Sequence, residues 1–258
     1  MFSKNLKYYR LKKNLTRREL ASLSGITPMA ITHYENGERN PTMDIIKKLA
    51  EVLEIRVIDF LMIRNANLVF KHAEFRKSRD LTLLEQEYIR ESVEEYFSRF
   101  FTTVEILGGE VLPECPQCHC LKLTLDDEMN AIKLREHLRF AVNGPIGNLI
   151  ETLENIGILV YMVDIENPSF SGMNGFVDER PYIAINKAMS DERIRSTIAH
   201  ELAHLMFDWS DYADKDEQSI ESTVTAIAGA FLFSSNDANR ELGIHRKSIT
   251  KAMLLVCR

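Results

Sequence analysis

The stretch SDERIRSTIAHELAHL, residues 190–205, has the features of one capped amphipathic helix. Ser190 is a favourable N-cap residue, and the two acidic residues after it suit the positive end of the helix dipole. Apolar residues recur at helical spacing and are expected to face a protein core: Ile194, Ile198, Leu202 and Leu205. His200 and His204 lie four residues apart, away from that stripe. The stretch therefore predicts a helix that is buried on one side and carries two imidazoles on the other.

The same helix contains His-Glu-x-x-His, a pattern typical of a metal site. His200 and His204 can bind one ion, which leaves Glu201 outside the ligand set and near enough to take a proton from water. A hydrolytic zinc site normally has three protein ligands, so one more must come from elsewhere in the chain. The candidates are the acidic residues and the histidine that follow the helix: Asp208, Asp211, Asp214, Glu217, Glu221 and His245. We favour Glu221, because apolar residues at helical spacing after it predict a second helix whose first turn could point its carboxylate across.

Turn and cap residues divide the first sixty residues into short helices. Thr16 and Glu19 form a capping box, and Gly25 suits the left-handed turn that ends a helix. Thr27 and Pro28 are then typical of the cap and first position of a second helix. Two helices joined by such a turn predict a helix-turn-helix. The apolar residues expected to pack this bundle are Ile26, Ile31, Tyr34, Ile45, Ile46, Leu49, Ala50, Val57, Ile58 and Leu61.

This region resembles the Xre/Cro/C1 family of helix-turn-helix DNA-binding domains over about residues 4–62. The matching positions are Leu15–Ala21, Gly25–Thr27, Ile31, Tyr34–Gly37 and Pro41. The resemblance implies that residues 28–36 form the recognition helix, with Met29, Thr32 and His33 facing base edges. Those expected to approach phosphates are Thr27, Arg39 and Asn40. The alternative for this bundle is a protein-interaction or dimerisation module.

Charge is divided unevenly along the 258 residues. Residues 1–80 hold 16 Lys and Arg against 9 Asp and Glu, or +7, and the remaining 16 basic and 29 acidic residues give −13. The net charge of −6 therefore averages a basic segment, suited to nucleic acid, with an acidic one. A hydrophobic fraction of 45% and a charged fraction of 27% exclude disordered or collagen-like classes. Without a signal peptide, a membrane-length apolar stretch or a disulfide framework, we expect a cytoplasmic protein with no membrane partner.

The sequence predicts three parts: an all-α helix-turn-helix bundle at 1–65, a helical connector with a Cys-rich turn at 66–125, and an α+β domain at 126–258. The connector is expected to be mostly helical over residues 66–106, with one helix at Leu83–Leu107 that places Ile89, Val93, Tyr96, Phe97 and Phe100 on one side. It is expected to join the domains or to pair two subunits in a homodimer. Its turn contains Cys115, Cys118, His119 and Cys120, a possible second metal or redox site whose ligand set is incomplete. An incidental group of thiols is the alternative.

Helix and strand patterns alternate in residues 126–258 and predict a small antiparallel sheet. The elements expected are helices at 128–140 and 145–157, strands at 158–163, 176–177 and 182–186, and helices from Asp191 onward. If the strand Tyr182–Asn186 lies at an edge of the sheet, it could bind an extended peptide by strand addition.

This half is similar to the ImmA/IrrE family of metallopeptidases over about residues 126–234. The matching stretches are Gly144–Ile146, Leu153–Ile158, Gly175–Phe176, Ile183–Asn186, His200–Leu205 and Glu221–Phe233. The resemblance implies a zincin-like fold, makes Glu221 the third metal ligand, and makes an Xre-type domain a familiar companion. The stretch after Glu221 departs from the family pattern at Val224, Thr225 and Ser234, where Ala, Asn and Pro are usual.

The function expected from these resemblances is a DNA-binding, regulatory zinc metalloendopeptidase that cleaves a transcriptional repressor. Its metal would be Zn²⁺, with Mn²⁺ as another possibility, and its partners would be DNA and a protein substrate. The alternative is a transcription regulator whose metallopeptidase-like half serves as a sensing or dimerisation module with little turnover.

Overall fold

The computed structural model describes residues 1–65, 67–73, 80–109, 112–212 and 215–244. These residues divide into two compact units, one from 1–69 and 75–111 and the other from 70–74 and 112–258. The first is helical and the second is mixed α+β, which confirms the predicted fold class. None of the helices in the described ranges combines the length and apolar character that a bilayer span requires.

Six helices make up the first unit: α1 (Phe2–Lys12), α2 (Arg17–Ser24), α3 (Pro28–Glu35), α4 (Met43–Leu53), α5 (Val57–Phe60) and α6 (Leu83–Ile106). The predicted caps are present, since Thr16 and Glu19 form the reciprocal capping box of α2 and the Thr27 hydroxyl accepts from the backbone of α3. Gly25 ends α2 in the left-handed region, at a φ of 66°. Local capping chemistry therefore sets the turn between α2 and α3, as the sequence predicts.

The bundle core differs from the prediction at its last helix. Phe60 of α5 is fully buried, whereas Ile58 is 57% exposed and Leu61 is 46% exposed, so the prediction that these two close the bundle is wrong. Val57 and Phe60 are three residues apart and share the inward face of α5, where the Phe60 ring packs on Phe2 and Tyr9, so Ile58 and Leu61 are left outside.

Helix α6 matches the predicted span to within one residue. Its buried side includes Ile89, Val93 and Phe97, but Tyr96, expected on the same side, is 38% exposed. The helix belongs to the same compact unit as the helix-turn-helix bundle.

The second unit contains six strands: β1 (Phe70–His72), β2 (Leu121–Lys122), β3 (Leu159–Val163), β4 (Gly172–Val177), β5 (Arg180–Asn186) and β6 (Phe207–Asp208). Its α-helices are α7 (Asp127–His137), α8 (Leu149–Asn155), α9 (Asp191–Met206), α10 (Glu217–Leu232) and α11 (Ser235–Leu242). Several of these elements differ from the prediction: β4 begins at Gly172 and not at residue 176, α7 ends at His137 and not at residue 140, and β6 lies where a helix was expected. Helix α8 begins at Leu149, capped by Asn148, and not at Pro145, and β1 lies within a segment that was expected to be helical.

The main sheet has the strand order β1-β4-β5-β3. Strand β4 pairs antiparallel with both β1 and β5, but β3 runs parallel to β5, so the sheet is mixed and not wholly antiparallel. Strand β5 contains Tyr182–Asn186 and lies inside the sheet, because both of its edges are paired. The condition for strand addition at Tyr182–Asn186, an edge position, is therefore not met.

One hydrophobic core joins this sheet to three helices. It includes Ile183 and Ile185 of β5, Ile198 and Leu202 of α9, and Leu134 of α7, together with Val224, Ile227 and Phe231 of α10. Helix α9 packs against β4, β5 and α10. This packing holds α9 between the sheet and α10. It therefore determines which side chains can contact the polar side of α9.

Candidate metal centre

Helix α9 presents its two histidines on the side that is not committed to the core. Ser190 caps the helix, and Ile198, Leu202 and Leu205 are fully buried. On the polar side the imidazole of His200 is half-buried and that of His204 is 7% exposed. The apolar residues and the two imidazoles therefore lie on different sides of α9, as their spacing in the sequence predicts.

Three ligand atoms meet beside α9. The Nε2 atoms of His200 and His204 are 3.3 Å apart, and the Glu221 carboxylate lies 3.1 Å from His200 Nε2 and 3.5 Å from His204 Nε2. Nitrogen and oxygen ligands held about 2.0–2.2 Å from a tetrahedral ion lie roughly 3.3–3.6 Å apart. The spacing therefore fits a zinc-sized cation, and among the described residues this is the only group of three or more His, Cys, Asp or Glu whose ligand atoms all lie within 4.8 Å of one another.

Helix α10 brings Glu221 to this position. It begins at Glu217, four residues before the predicted start, so Glu221 lies one turn inside the helix and not in its first turn. Val224, Ile227 and Phe231 on the buried side of α10 pack into the core shared with α9. Apolar packing of the two helices is what directs the carboxylate toward the imidazoles.

The other candidates for the third ligand do not join the group. Asp208 pairs with Lys122 Nζ at 2.5 Å, and that hydrogen bond holds the pKa of the carboxyl well below its usual range. Glu217 and Asp211 are exposed and lie outside the group of ligand atoms. Asp214 and His245 lie outside the described residues.

Glu201 is buried beside the histidines and is held by a residue that the sequence reading missed. Its Oε2 accepts a hydrogen bond of 2.6 Å from the side-chain amide of Asn174, which lies on β4. Strand β4 alternates buried and half-buried residues, and Asn174 is the one polar residue on its half-buried side. An amide in the middle of a short apolar strand was the available signal for this contact.

Strand β1 pairs with β4 as far as Asn174, the residue that holds Glu201. The partners are Phe70 with Val177, Lys71 with Phe176 and His72 with Gly175, and Ala73 N then donates to Asn174 O at 3.0 Å. A Cβ at Gly175 would lie 2.5 Å from Lys71 O, so glycine is what permits this close approach. A peptide could therefore add to β4 only by displacing β1.

The residues expected to contact DNA lie on and after α3, while Ile31 and Tyr34 of the same helix face the bundle core. Met29 is 71% exposed, Thr27, Arg39 and Asn40 are also exposed, and Thr32 and His33 are half-buried. Some of their polar groups have partners within the unit. Thr27 caps α3, Thr32 Oγ1 donates to Pro28 O, and His33 contacts the carboxylate of Glu38.

The Cys-rich turn has a different histidine neighbour from the one predicted. Cys115, Cys118 and Cys120 are half-buried and are not joined in disulfides. The His119 ring packs near Phe176, and its Nδ1 lies 3.4 Å from Phe207 O. The imidazole near a thiol is that of His137 on α7, whose Nε2 is 3.7 Å from Cys120 Sγ.

Comparison with known proteins gives two family matches. Residues 6–60 match the helix-turn-helix family model, and residues 153–253 match the model of the peptidase family described as the IrrE N-terminal-like domain. The second match contains His200, Glu201, His204 and Glu221.

Two curated relatives each match a short part of the chain, and both are named as HTH-type transcriptional regulators. The uncharacterized HTH-type transcriptional regulator YqaE of Bacillus subtilis is 37% identical over 67 residues, which is 26% of this chain and 57% of that protein. An uncharacterized HTH-type transcriptional regulator of Methanocaldococcus jannaschii is 32% identical over 57 residues, or 22% of this chain and 86% of that protein. The chain thus spans little more than half the length of the first relative and most of the second.

Proposed function

Because this chain belongs to the family of HTH-type transcriptional regulators and also carries an IrrE N-terminal-like peptidase domain, we propose that it is a DNA-binding zinc metalloendopeptidase that cleaves a transcriptional repressor. The observation that carries the proposal is the meeting of His200, His204 and Glu221 beside Glu201. Two imidazoles and one carboxylate are the ligands of many hydrolytic zinc sites, which leave one position for water or substrate.

The residues of the chain divide the chemistry between them. His200, His204 and Glu221 would hold the ion, and a bound Zn²⁺ supplies Lewis acidity, which lowers the pKa of water and polarises the scissile carbonyl. Glu201 would take a proton from the attacking water and return it to the leaving amine. Asn174 donates to Oε2 of Glu201 and so orients the carboxylate for this proton transfer. Burial of Glu201 and His204 limits solvent around the site.

Charge supports the choice of a DNA-binding protein as substrate. Most described residues of the basic segment belong to the helix-turn-helix unit, although β1 belongs to the other unit, and most of the acidic excess lies in residues 112–258. Opposite charge raises the encounter rate of two proteins, so an acidic peptidase attracts a basic repressor. Incubation of the metal-loaded protein with the repressor encoded beside it tests this choice, and cleavage whose rate does not change with salt would contradict the electrostatic part.

A second function is favoured by a specific observation. The chain's own strand β1 occupies the edge of β4 next to Glu201, and that pairing would oppose entry of an extended substrate. In addition, Thr225, one helical turn after Glu221, is exposed, and Ser234 caps α11 where the family has Pro. The second function is a transcription regulator whose peptidase-like half senses a metal or joins two subunits. Metal binding without turnover would support it.

We expect DNA binding to weaken steeply as salt is added, because each phosphate contact releases counterions. Substituting Arg39→Ala should weaken binding to all sequences alike and reduce the slope of log affinity against log salt by about 1. Fluorescence anisotropy at several salt concentrations measures both. Arg56→Ala removes the same charge from the same unit, but Arg56 is paired with Asp59 on α5 and should leave the slope unchanged. An absence of binding even at low salt would contradict the DNA assignment.

We also expect Asn174→Ala to lower kcat by roughly 10–100-fold, the usual range for a supporting partner of a metal site. The reason is that Glu201 would lose the amide that orients it. KM and metal content should stay close to those of the unaltered protein, since Asn174 belongs to neither the ligand group nor the core. Steady-state kinetics with metal analysis separates these quantities, and a fall in metal content would mean that Asn174 acts on the fold instead.

A further inference from the structure

The turn at residues 115–120 has the sequence and backbone form of a zinc-binding knuckle. It reads Cys-Pro-Gln-Cys-His-Cys, in which the two-residue spacing of the first two cysteines is the one commonest in zinc sites. His119 follows the second cysteine with a φ of +53°, a left-handed turn that is uncommon for a residue other than glycine. The turn therefore folds its cysteines back toward one another.

Both ends of the turn are fixed to the peptidase half. At its start, Arg180 donates to Pro113 O at 2.7 Å, and Gly157 lies so close that a Cβ there would be 3.0 Å from the Cα of Cys115. At its end, the backbone N–H groups of His119 and Cys120 donate to Leu205 O and Met206 O at the carboxyl end of α9. Strands β2 and β6 continue that pairing. The turn is thus attached to the helix that carries His200 and His204.

A fourth donor lies against the turn. His137, in the last turn of α7, has its Nε2 atom 3.7 Å from Cys120 Sγ and 2.8 Å from Gln117 O. A sulfur and a nitrogen that bind the same tetrahedral zinc ion at about 2.3 and 2.0 Å lie roughly 3.6 Å apart. The pair Cys120 and His137 therefore already has the separation that a shared ion requires.

We infer that Cys115, Cys118, Cys120 and His137 form a second Zn²⁺ site, separate from the ligand group on α9. Three thiolates and one imidazole complete a closed tetrahedral set, which is typical of structural zinc. Cys115 and His137 line one cavity beside the turn, and Cys120 lies next to the same imidazole. The ligand atoms are spaced more widely than those of the His200 group, so the cysteine side chains rotate toward the ion on binding.

The site would fasten α7 to the turn and, through the turn, to the carboxyl end of α9. Soft thiolates select Zn²⁺ over Mg²⁺ or Ca²⁺, and a closed set leaves no position for water, so this ion supports the fold and takes no part in hydrolysis. A redox pair is the competing use of the same cysteines. A redox pair differs from the zinc site because it needs two cysteine sulfur atoms and does not need the His137 imidazole.

Cobalt substitution tests the site in the full-length protein. Co²⁺ bound by thiolates gives a sulfur-to-metal charge-transfer band in the near ultraviolet, which a site of two histidines and a glutamate cannot give. We expect this band in the unaltered protein and in His204→Ala, with one equivalent of metal at the thiolate site in each. Cys118→Ser and His137→Ala should lose the band and that equivalent, while keeping the metal bound through His200. Zn²⁺ should also slow alkylation of the three thiols.

Two controls keep the test decisive. His119→Asn retains a residue that tolerates the left-handed turn and should keep the band, since His119 is not among the four ligands. His137→Cys should restore the site as a four-cysteine set, which separates loss of a ligand from loss of folding. Absence of the charge-transfer band from the unaltered protein, or an affinity of the thiolate site for Co²⁺ that is unchanged in His137→Ala, would overturn the assignment. A disulfide between Cys115 and Cys118 in the isolated protein would instead establish the redox use.

Discussion

Substituting Glu201→Gln should reduce peptide hydrolysis by about 10²–10⁴-fold, the usual contribution of a general base. Glutamine keeps the size of the side chain, and its carbonyl oxygen can still accept from Asn174, so the buried contact is preserved. What is lost is the carboxylate that takes the proton. Metal content should not change, because Glu201 is outside the ligand group.

A control on the same helix separates this effect from a general change of charge. Glu192→Gln removes one carboxylate from the exposed first turn of α9 and should leave turnover unchanged. Rates measured on one substrate, with metal analysis of each sample, give the comparison. Equal turnover by Glu201→Gln and the unaltered protein would contradict the assigned proton transfer.

The second large effect concerns the metal itself. We expect Glu221→Ala to weaken metal binding by more than about 100-fold and to abolish turnover, since loss of even an outer supporting partner costs roughly 10–100-fold. The carboxylate lies 3.1 Å and 3.5 Å from the two imidazoles, and α10 has no other group in the cluster. Isothermal titration of the metal-free protein with Zn²⁺ measures the change directly.

Glu217→Ala is the matched control for this experiment. It lies one turn earlier on α10, is exposed, and is outside the cluster, so its metal affinity should equal that of the unaltered protein. DNA binding should be retained in both variants, because the substitutions lie outside the helix-turn-helix unit. Equal metal affinity in Glu221→Ala and Glu217→Ala would exclude Glu221 as a ligand.

Local chemistry explains which parts of the fold could be predicted. The turn between α2 and α3 depends on caps and a glycine within a few residues of one another, and all of them can be read from the sequence. The orientation of α9 likewise follows from an apolar stripe and two histidines four residues apart. The bounds of α2, α3 and α9 were therefore predicted to within a residue or two.

Contacts between distant segments could not be predicted in this way. Asn174 meets Glu201 across 27 residues, and His137 meets Cys120 across 17, because separate elements pack together. His119 was grouped with the three cysteines because it lies among them in the sequence, and in the structure a left-handed turn directs its ring toward Phe176. Periodicity identifies the face on which a residue lies, while its partner depends on tertiary packing.

The main sheet also depends on contacts between distant segments that could not be predicted from the sequence. Strand β1 has three residues and no alternation long enough to identify it, and only pairing with β4 makes it a strand. Its presence makes β4 an inner strand, while β3 does the same for β5. Strand addition at Tyr182–Asn186 would need an edge position that β5 does not have, and a substrate that pairs with β4 would have to displace β1.

Mass spectrometry of new chain termini tests the peptidase assignment most simply. The full-length protein, loaded with Zn²⁺, is incubated with the repressor encoded beside it and with a peptide library, and Glu201→Gln treated identically serves as the blank. We predict cleavage that requires the metal and is absent from the blank. A protein that holds its ion through His200, His204 and Glu221 but cuts neither the repressor nor any peptide above the blank would contradict a peptidase and establish a sensing or dimerisation role for this half of the chain.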